Sequence, residues 1–155
     1  MDLKKTGDWN KLRKLNRISM ERIIKSEFGK SILKNGEIIR KSIVEGIRRD
    51  ELGLAANAPS TIIRKKGDTP VVDSGELTNS VNIVKINWDE IFIGVPRGAT
   101  TSKGGDMLRI AEIVHEGYGN KPKRDFIIRA FERVKKELKE NFEVTGKNIW
   151  KKLLR

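Results

Sequence analysis

The sequence predicts an α+β domain, with helices packed on one face of a small antiparallel β-sheet carrying a hairpin. Three observations lead there. Apolar residues recur at three- and four-residue spacings in the first and last thirds, as an amphipathic helix requires. Between Val81 and Val95 they fall in two short runs that alternate. Stretches rich in Gly, Pro, Ser, Thr and Asn separate these segments and break both periods.

The first third carries Leu12, Leu15, Ile18, Ile23, Ile24, Phe28, Ile32 and Leu33, a helical spacing. Asn35-Gly36 is a turn or helix-stop signal. A second helix is expected from Glu37, with Ile39, Ile43 and Ile47 on one stripe. Arg40, Lys41, Glu45, Arg48 and Arg49 cover its other face. Two antiparallel helices, or one long helix broken near Gly36, both satisfy this pattern.

Residues 53–70 read as a long connection, and long ordered loops in small domains tend to be functional or interface-forming. Ser80 to Ile86 reads as a strand, in which Val81 and Ile83 face one way and Val84 and Ile86 place apolar groups on the second face. Burial on both sides is therefore expected. Ile91, Ile93 and Val95 form the partner strand across a short polar link, Asn87 to Glu90. Arg97 to Asp106 reads as a flexible loop.

Asp106 is placed to cap a helix bearing Met107, Ile110, Ala111 and Val114, stopped by Gly117 and Gly119. The last helix follows Pro122, with Ile127, Phe131, Val134 and Leu138 on its apolar face. Phe142, Ile149 and Leu153 extend it, with an interruption expected at Gly146. The organisation is one domain over residues 1–155: a helical part (1–52), a loop (53–70), a core (71–135) and a C-terminal helical extension (136–155).

The length suits one domain with one core. Hydrophobic residues make up 37% and charged residues 35%, so the expected core is compact under a heavily solvated surface. Only 6% are aromatic, which argues against large base-stacking platforms. With no cysteine there are no disulfides, thiolate zinc sites or thiol nucleophiles, in keeping with a reducing compartment. Met1 to Asn10 has lysines but no apolar run, so no signal peptide is expected. No window of about 18 apolar residues exists, so a soluble protein without a membrane span or membrane partner is expected.

The formal net charge is +12, unevenly spread. Residues 1–50 hold 14 basic and 7 acidic side chains, residues 51–100 hold 5 and 6, and residues 101–155 hold 14 and 8. Basic ends flank a neutral middle. Such a surface favours anionic partners, nucleic acid among them, and a basic nucleic-acid-binding protein is the alternative functional reading. Lysine-rich solvated helix faces account for the same charge equally well.

Catalytic constellations are weak. Phe28-Gly29-Lys30-Ser31 resembles the end of a phosphate-binding loop, but Ile24 stands where the motif needs glycine, and a helix replaces the required strand. His115 is the single histidine, which leaves too few nitrogen and sulfur ligands for zinc. Ser74, His115 and Asp73 make a triad only on paper, because adjacent residues rarely aim at one imidazole. His115 is expected instead to hydrogen-bond near a helix end. Asp68, Asp73, Glu76, Asp89 and Glu90 lie in predicted turns and links, where carboxylates serve conformation and solubility. A non-enzymatic protein without metal or cofactor is the expectation.

One stretch is more specific. From Ser60 to Ser80 the chain reads STIIRKKGDTPVVDSGELTNS. Asp73 and Ser74 can bond their own backbone to close a turn, Gly75 permits positive φ, and Leu77 is expected to plug the start of the following strand. A second stretch runs from Ala111 through Glu116, Gly117, Tyr118 and Gly119 to Arg124, Asp125 and Phe126. Together they resemble the small neck, tail-completion, minor tail or virion morphogenesis proteins of tailed bacteriophages. The residues that carry the resemblance are Thr61, Arg64, Lys65, Gly67, Pro70, Asp73, Ser74, Gly75 and Leu77, then Glu116, Gly117, Gly119, Arg124 and Phe126. Val71 and Ser74 stand where that family often has Leu and Thr, and both changes keep the chemistry. Asp125 stands where it usually has Pro, as an alternative helix cap.

The resemblance covers residues 56–135, about half of the chain. It implies a structural protein of the virion, made in the bacterial host cytoplasm and built into the neck or head-tail connector. Its partners would be further copies of itself in a ring, other neck, connector or tail-tube proteins, and DNA in the channel. Arg64, Lys65, Lys66, Arg97 and Lys103 are the candidate contacts to DNA or to a protein neighbour.

Overall fold

A computed structural model of the chain describes residues 17–65, 67–71 and 74–154. Its elements run α1 (Arg17–Arg48), α2 (Pro59–Lys65), α3 (Glu76–Ser80), β1 (Asn82–Lys85), β2 (Ile91–Gly94), α4 (Met107–Glu116) and α5 (Phe126–Leu153). Helices packed around a two-stranded antiparallel hairpin make this an α+β fold, as the periodicity predicts. Leu12, Leu15, Lys66 and Asp73 lie outside the described residues.

The frame is the pair of long helices. α1 has 32 residues and α5 has 28, about 48 and 42 Å long. They run antiparallel: Thr145 Oγ1 donates to Ser31 Oγ (2.8 Å), Lys34 Nζ to Asn141 Oδ1 (2.9 Å) and Ser42 Oγ to the Ala130 carbonyl (2.9 Å). Small side chains at these crossings bring the backbones close. At one end Ile43, Ile47, Phe126 and Ala130 are completely buried, with Leu52, Leu54, Leu77, Val81, Val95, Met107 and Ala111 gathered around them. Each fully buried large aliphatic or aromatic side chain here contributes about 1.5–3 kcal/mol.

The expected break at Gly36 does not occur. A Cβ there would lie 2.5 Å from Ile91 Cδ1 and 3.5 Å from Ile83 Cδ1, and one at Gly29 would lie 3.1 Å from the Trp88 carbonyl oxygen. The glycines are where the hairpin seats on α1, so close approach and not a turn explains them. Nor does Gly146 interrupt α5, and the division at residue 135 falls inside that helix. Gly146 is solvent-facing, and its propensity cost of about 1 kcal/mol is carried by the long packed helix around it.

Residues 53–70 are not wholly irregular. Pro59 occupies the first position of α2, where its fixed φ suits a helix, and the Ala58 carbonyl accepts from the Thr61 and Ile62 amides. The first predicted strand is shorter than Ser80 to Ile86, since Ser80 ends α3. In the hairpin Ile83 pairs with Ile93, and Val84 with Phe92. Only the first pair packs on the core. Val84, Ile86 and Phe92 are 42%, 54% and 41% exposed, so the expected burial of both faces fails because no described element covers the outer one.

The 97–106 segment is folded, not a loose loop. Thr101 and Gly105 exchange a backbone and a side-chain hydrogen bond, the Met107 amide donates to the Ala99 carbonyl, and Thr100 bridges Asp106. Asp106 caps α4 as its sequence position predicts, accepting from the Leu108 and Arg109 amides. Asp125 stands at the N-cap position of α5 without capping it. Its carboxylate takes the Arg129 guanidinium at 2.7 Å instead.

Gly46 tests the close packing. A Cβ there would lie 2.8 Å from Cγ of the buried Leu52, a branch point that cannot swing away. Helix propensity favours Gly46→Ala, yet overpacking prevails, and the substitution should lower the unfolding free energy by about 1–2 kcal/mol in chemical denaturation.

Candidate functional site

The two specific stretches of sequence fold onto one cleft of about 350 Å³. Thr61, Arg64 and Lys65 of α2 line one side, and Ser74, Gly75, Glu76 and Leu77 another. Met107, Ile110 and Val114 of α4 form the apolar wall, and Lys121 and Arg124 close the far side. Thr61, Arg64, Lys65, Ser74, Gly75, Leu77 and Arg124 are thus brought together as lining residues.

The turn that precedes α3 is built much as its composition suggests. Gly75 has φ +78°, the left-handed region that glycine tolerates best. Its carbonyl accepts from Thr78 Oγ1 (2.8 Å) and the Asn79 amide (3.0 Å), while Ser74 Oγ accepts from the Glu76 amide (3.4 Å). Leu77 is 7% exposed, but it sits in α3 and not at a strand start. The motif therefore nucleates one helical turn, and β1 follows only after it.

Arg124 ties the cleft together. Its Nε donates to the Ala55 carbonyl (2.8 Å), and its Nη2 to the Ala56 carbonyl (3.0 Å) and to Asn57 Oδ1 (3.2 Å). Asn57 Nδ2 then donates to the Asp68 and Thr69 carbonyls at 2.8 and 3.2 Å, and Lys65 Nζ also reaches Thr69. One guanidinium and one buried carboxamide thereby fix both ends of the segment around α2. Asn57 is the functional residue that sequence reasoning missed. Its signal is a lone amide among alanines in Ala55-Ala56-Asn57-Ala58.

Glu76 joins the cleft to the 97–106 segment by accepting from the Ser102 amide at 3.1 Å. The Ser102 hydroxyl and amide hold its carboxyl below the ordinary carboxylate value. Arg97 and Lys103 are exposed and do not line the cleft.

The remaining motif residues frame the cleft without entering it. The Gly67 amide donates to the Ile62 carbonyl at the end of α2, and Pro70 is buried. Gly117 has φ +80°, and a Cβ there would meet the Lys121 carbonyl oxygen at 2.8 Å. Gly119, at φ +56°, turns the chain within the Tyr118–Lys121 bridge. Glu116 lies 2.7 Å from His115 Nδ1 and 3.1 Å from Lys123 Nζ, and both hold its carboxyl below the usual range. The His115 ring stands edge-on to the buried Phe126, with centroids 5.4 Å apart.

Chemically the cleft is a basic recess with one carboxylate. Ser74 and His115 share no hydrogen bond, and Asp89 and Glu90 lie elsewhere, on the hairpin turn. Among the described residues no group of three His, Asp or Glu side chains could hold a metal ion. No described helix is long and apolar enough to cross a membrane. The cleft's polar groups are spent largely on tying chain segments to one another.

Arg124→Ala should leave the Ala55 and Ala56 carbonyls without their donor and cost about 2–3 kcal/mol in denaturant unfolding, with faster amide exchange over residues 53–69. For Glu76, a lowered folded-state pKa means its tether is intact above the ordinary carboxylate value and is lost as pH falls through the folded value. Protection of the Ser102 amide, taken relative to its intrinsic exchange rate at each pH, should therefore fall as pH drops below the ordinary carboxylate range, and Glu76→Gln should abolish that pH dependence. Compared with known proteins, the chain matches no family model, no curated protein and no solved structure.

Proposed function

We propose that this protein is a structural component of a tailed-phage virion, assembling as a ring of copies in the neck and completing or joining the tail at its head-proximal end. One observation carries the reading. The two stretches that resemble tail-completion and neck proteins lie far apart in sequence, yet they meet on one cleft whose polar groups serve architecture. The exposed apolar surface supports assembly as the activity. Ile63, Val84, Ile86, Phe92, Val144 and Trp150 are each more than two fifths exposed, a load that suits a protein with neighbours. The excess of basic side chains on both long helices suits a position around DNA, where contact with the genome is part of the same role.

Electron microscopy of mature particles, with the purified protein added to tails that lack it, tests the proposal. The expected result is ring density at the head-proximal end of the tail. A strictly monomeric protein absent from mature virions overturns it.

A further inference from the structure

A second recess lies on the opposite side of the hairpin from its exposed outer face. It is a groove of about 280 Å³ between α1, β2 and α5. Ile93, Leu138, Phe131 and Phe142 wall it, and the two phenylalanines are each 40% exposed, so the groove opens to solvent. Asp89 and Glu90 of the hairpin turn stand exposed at its rim. Asn35 lines it from α1, 4% exposed, with neither Oδ1 nor Nδ2 hydrogen-bonded. A buried carboxamide without partners is costly, about 1–3 kcal/mol for each unmet group, and native proteins rarely keep one without a use.

The groove specifies its occupant. It asks for an apolar body, a donor for Asn35 Oδ1, an acceptor for Nδ2, and positive charge at the rim. An acyl chain would leave Asn35 unmet and bring a carboxylate to two carboxylates. The chain itself carries a side chain that fits. Trp150 is 56% exposed in the last turns of α5, with an indole N–H that donates and cannot accept. Lys147 and Lys151 flank it, both exposed. Gly146, one turn back, puts no side chain beside the ring, and nothing lies within 4 Å of the space a Cβ would fill. The last turn of α5 also brings backbone carbonyls without helical partners, which can accept from Asn35 Nδ2.

Trp150 cannot reach the groove of its own chain. It lies on the same continuous helix as Phe142, eight residues and about 12 Å further along. We infer that Trp150 of one copy inserts into the Asn35 groove of a second copy, its flanking lysines meeting Asp89 and Glu90, as a head-to-tail contact between different surfaces of the same chain. A chain of net charge +12 that keeps two carboxylates at the mouth of an apolar groove is complementary to its own basic helix end. The contact is heterologous, the type that closes into rings, and it rests on the proposed self-assembly.

Sedimentation analysis of the full chain over a concentration series tests this. Trp150→Ala removes an exposed anchor and should weaken association at least about tenfold with unchanged thermal unfolding. Asp89→Lys combined with Glu90→Lys should weaken it comparably. Asn35→Leu gives the sharper signature. Removing an unmet buried amide should raise the melting temperature, yet association should weaken. A role in folding alone would move only the first. Mixing Trp150→Ala protein with Asn35→Leu protein should restore association, but only to dimers, because each keeps one half of the contact. Glu112→Gln, at an exposed position on α4 away from both surfaces, should change nothing. Wild-type assembly that survives Trp150→Ala and Asn35→Leu overturns this contact while leaving the ring reading intact. Wild-type protein that stays monomeric at every concentration and with added tails overturns both.

Discussion

Everything in this molecule depends on how closely α1 and α5 approach one another. Ser42 reaches the backbone carbonyl of Ala130, and Thr145 reaches Ser31, so the two helices meet through hydroxyls and a methyl where larger side chains would hold them apart. Such contacts leave little room for adjustment, because interiors are packed as densely as organic crystals. The hairpin inherits the same constraint. It lies on α1 only because Gly29 and Gly36 let the Trp88 carbonyl and the Ile91 side chain come in. The core around Ile43, Ile47 and Phe126 then fills the end of the frame where the connecting segments gather.

The cleft follows from that frame at one remove. With α1 and α5 fixed, the segment before α2 and the segment before α5 end up side by side, and Arg124 converts that proximity into a tether of three hydrogen bonds. The guanidinium pays some desolvation for this, since burial works against its charge. Three acceptors in fork geometry offset the loss, which a lysine could not do. Glu76 performs the same service for the 97–106 segment from the opposite wall. An architecture in which charged side chains fasten loops leaves the apolar surplus on the outside, on the hairpin and along α5.

What was legible in the sequence depended on whether a signal was local. The Asp106 cap, the Gly117 stop, the positive φ of Gly75 and the 82–94 hairpin are each specified within a few residues, and each was readable. Gly36 misled because glycine carries two meanings, a stop or a close approach, and only the partner across the interface decides between them; Gly146 misled because a long packed helix carries one exposed glycine without breaking. The outer face of the hairpin misled for a related reason. Val84, Ile86 and Phe92 look like core to any pattern that cannot count layers, and the described elements supply a layer on one side only. In the cleft, the lining roles of Arg64, Ser74 and Arg124 lay within motif positions, whereas Asn57 offered only a lone amide among alanines, and Asn35, in the other recess, read as a helix stop. Fold class was accessible from periodicity. Which polar groups would find partners was not.

The pairing of α1 with α5 also sets the order in which the protein can come into being. Ser42 and Ala130 are 88 residues apart, and Ser31 and Thr145 are 114 apart, so the closing contacts of the frame are among the least local in the chain. During synthesis the apolar stripe of α1 is finished long before its cover. At ordinary elongation rates that interval is roughly 4 to 18 seconds. Throughout it, the stripe that α5 will cover stays open to other apolar surfaces, the α5 of another copy among them. The dense charge along the outer face of α1, with a lysine, arginine or glutamate every few residues, keeps the waiting helix soluble. The composition of α1 thus guards the chain against exchanging helices between copies while it waits for α5.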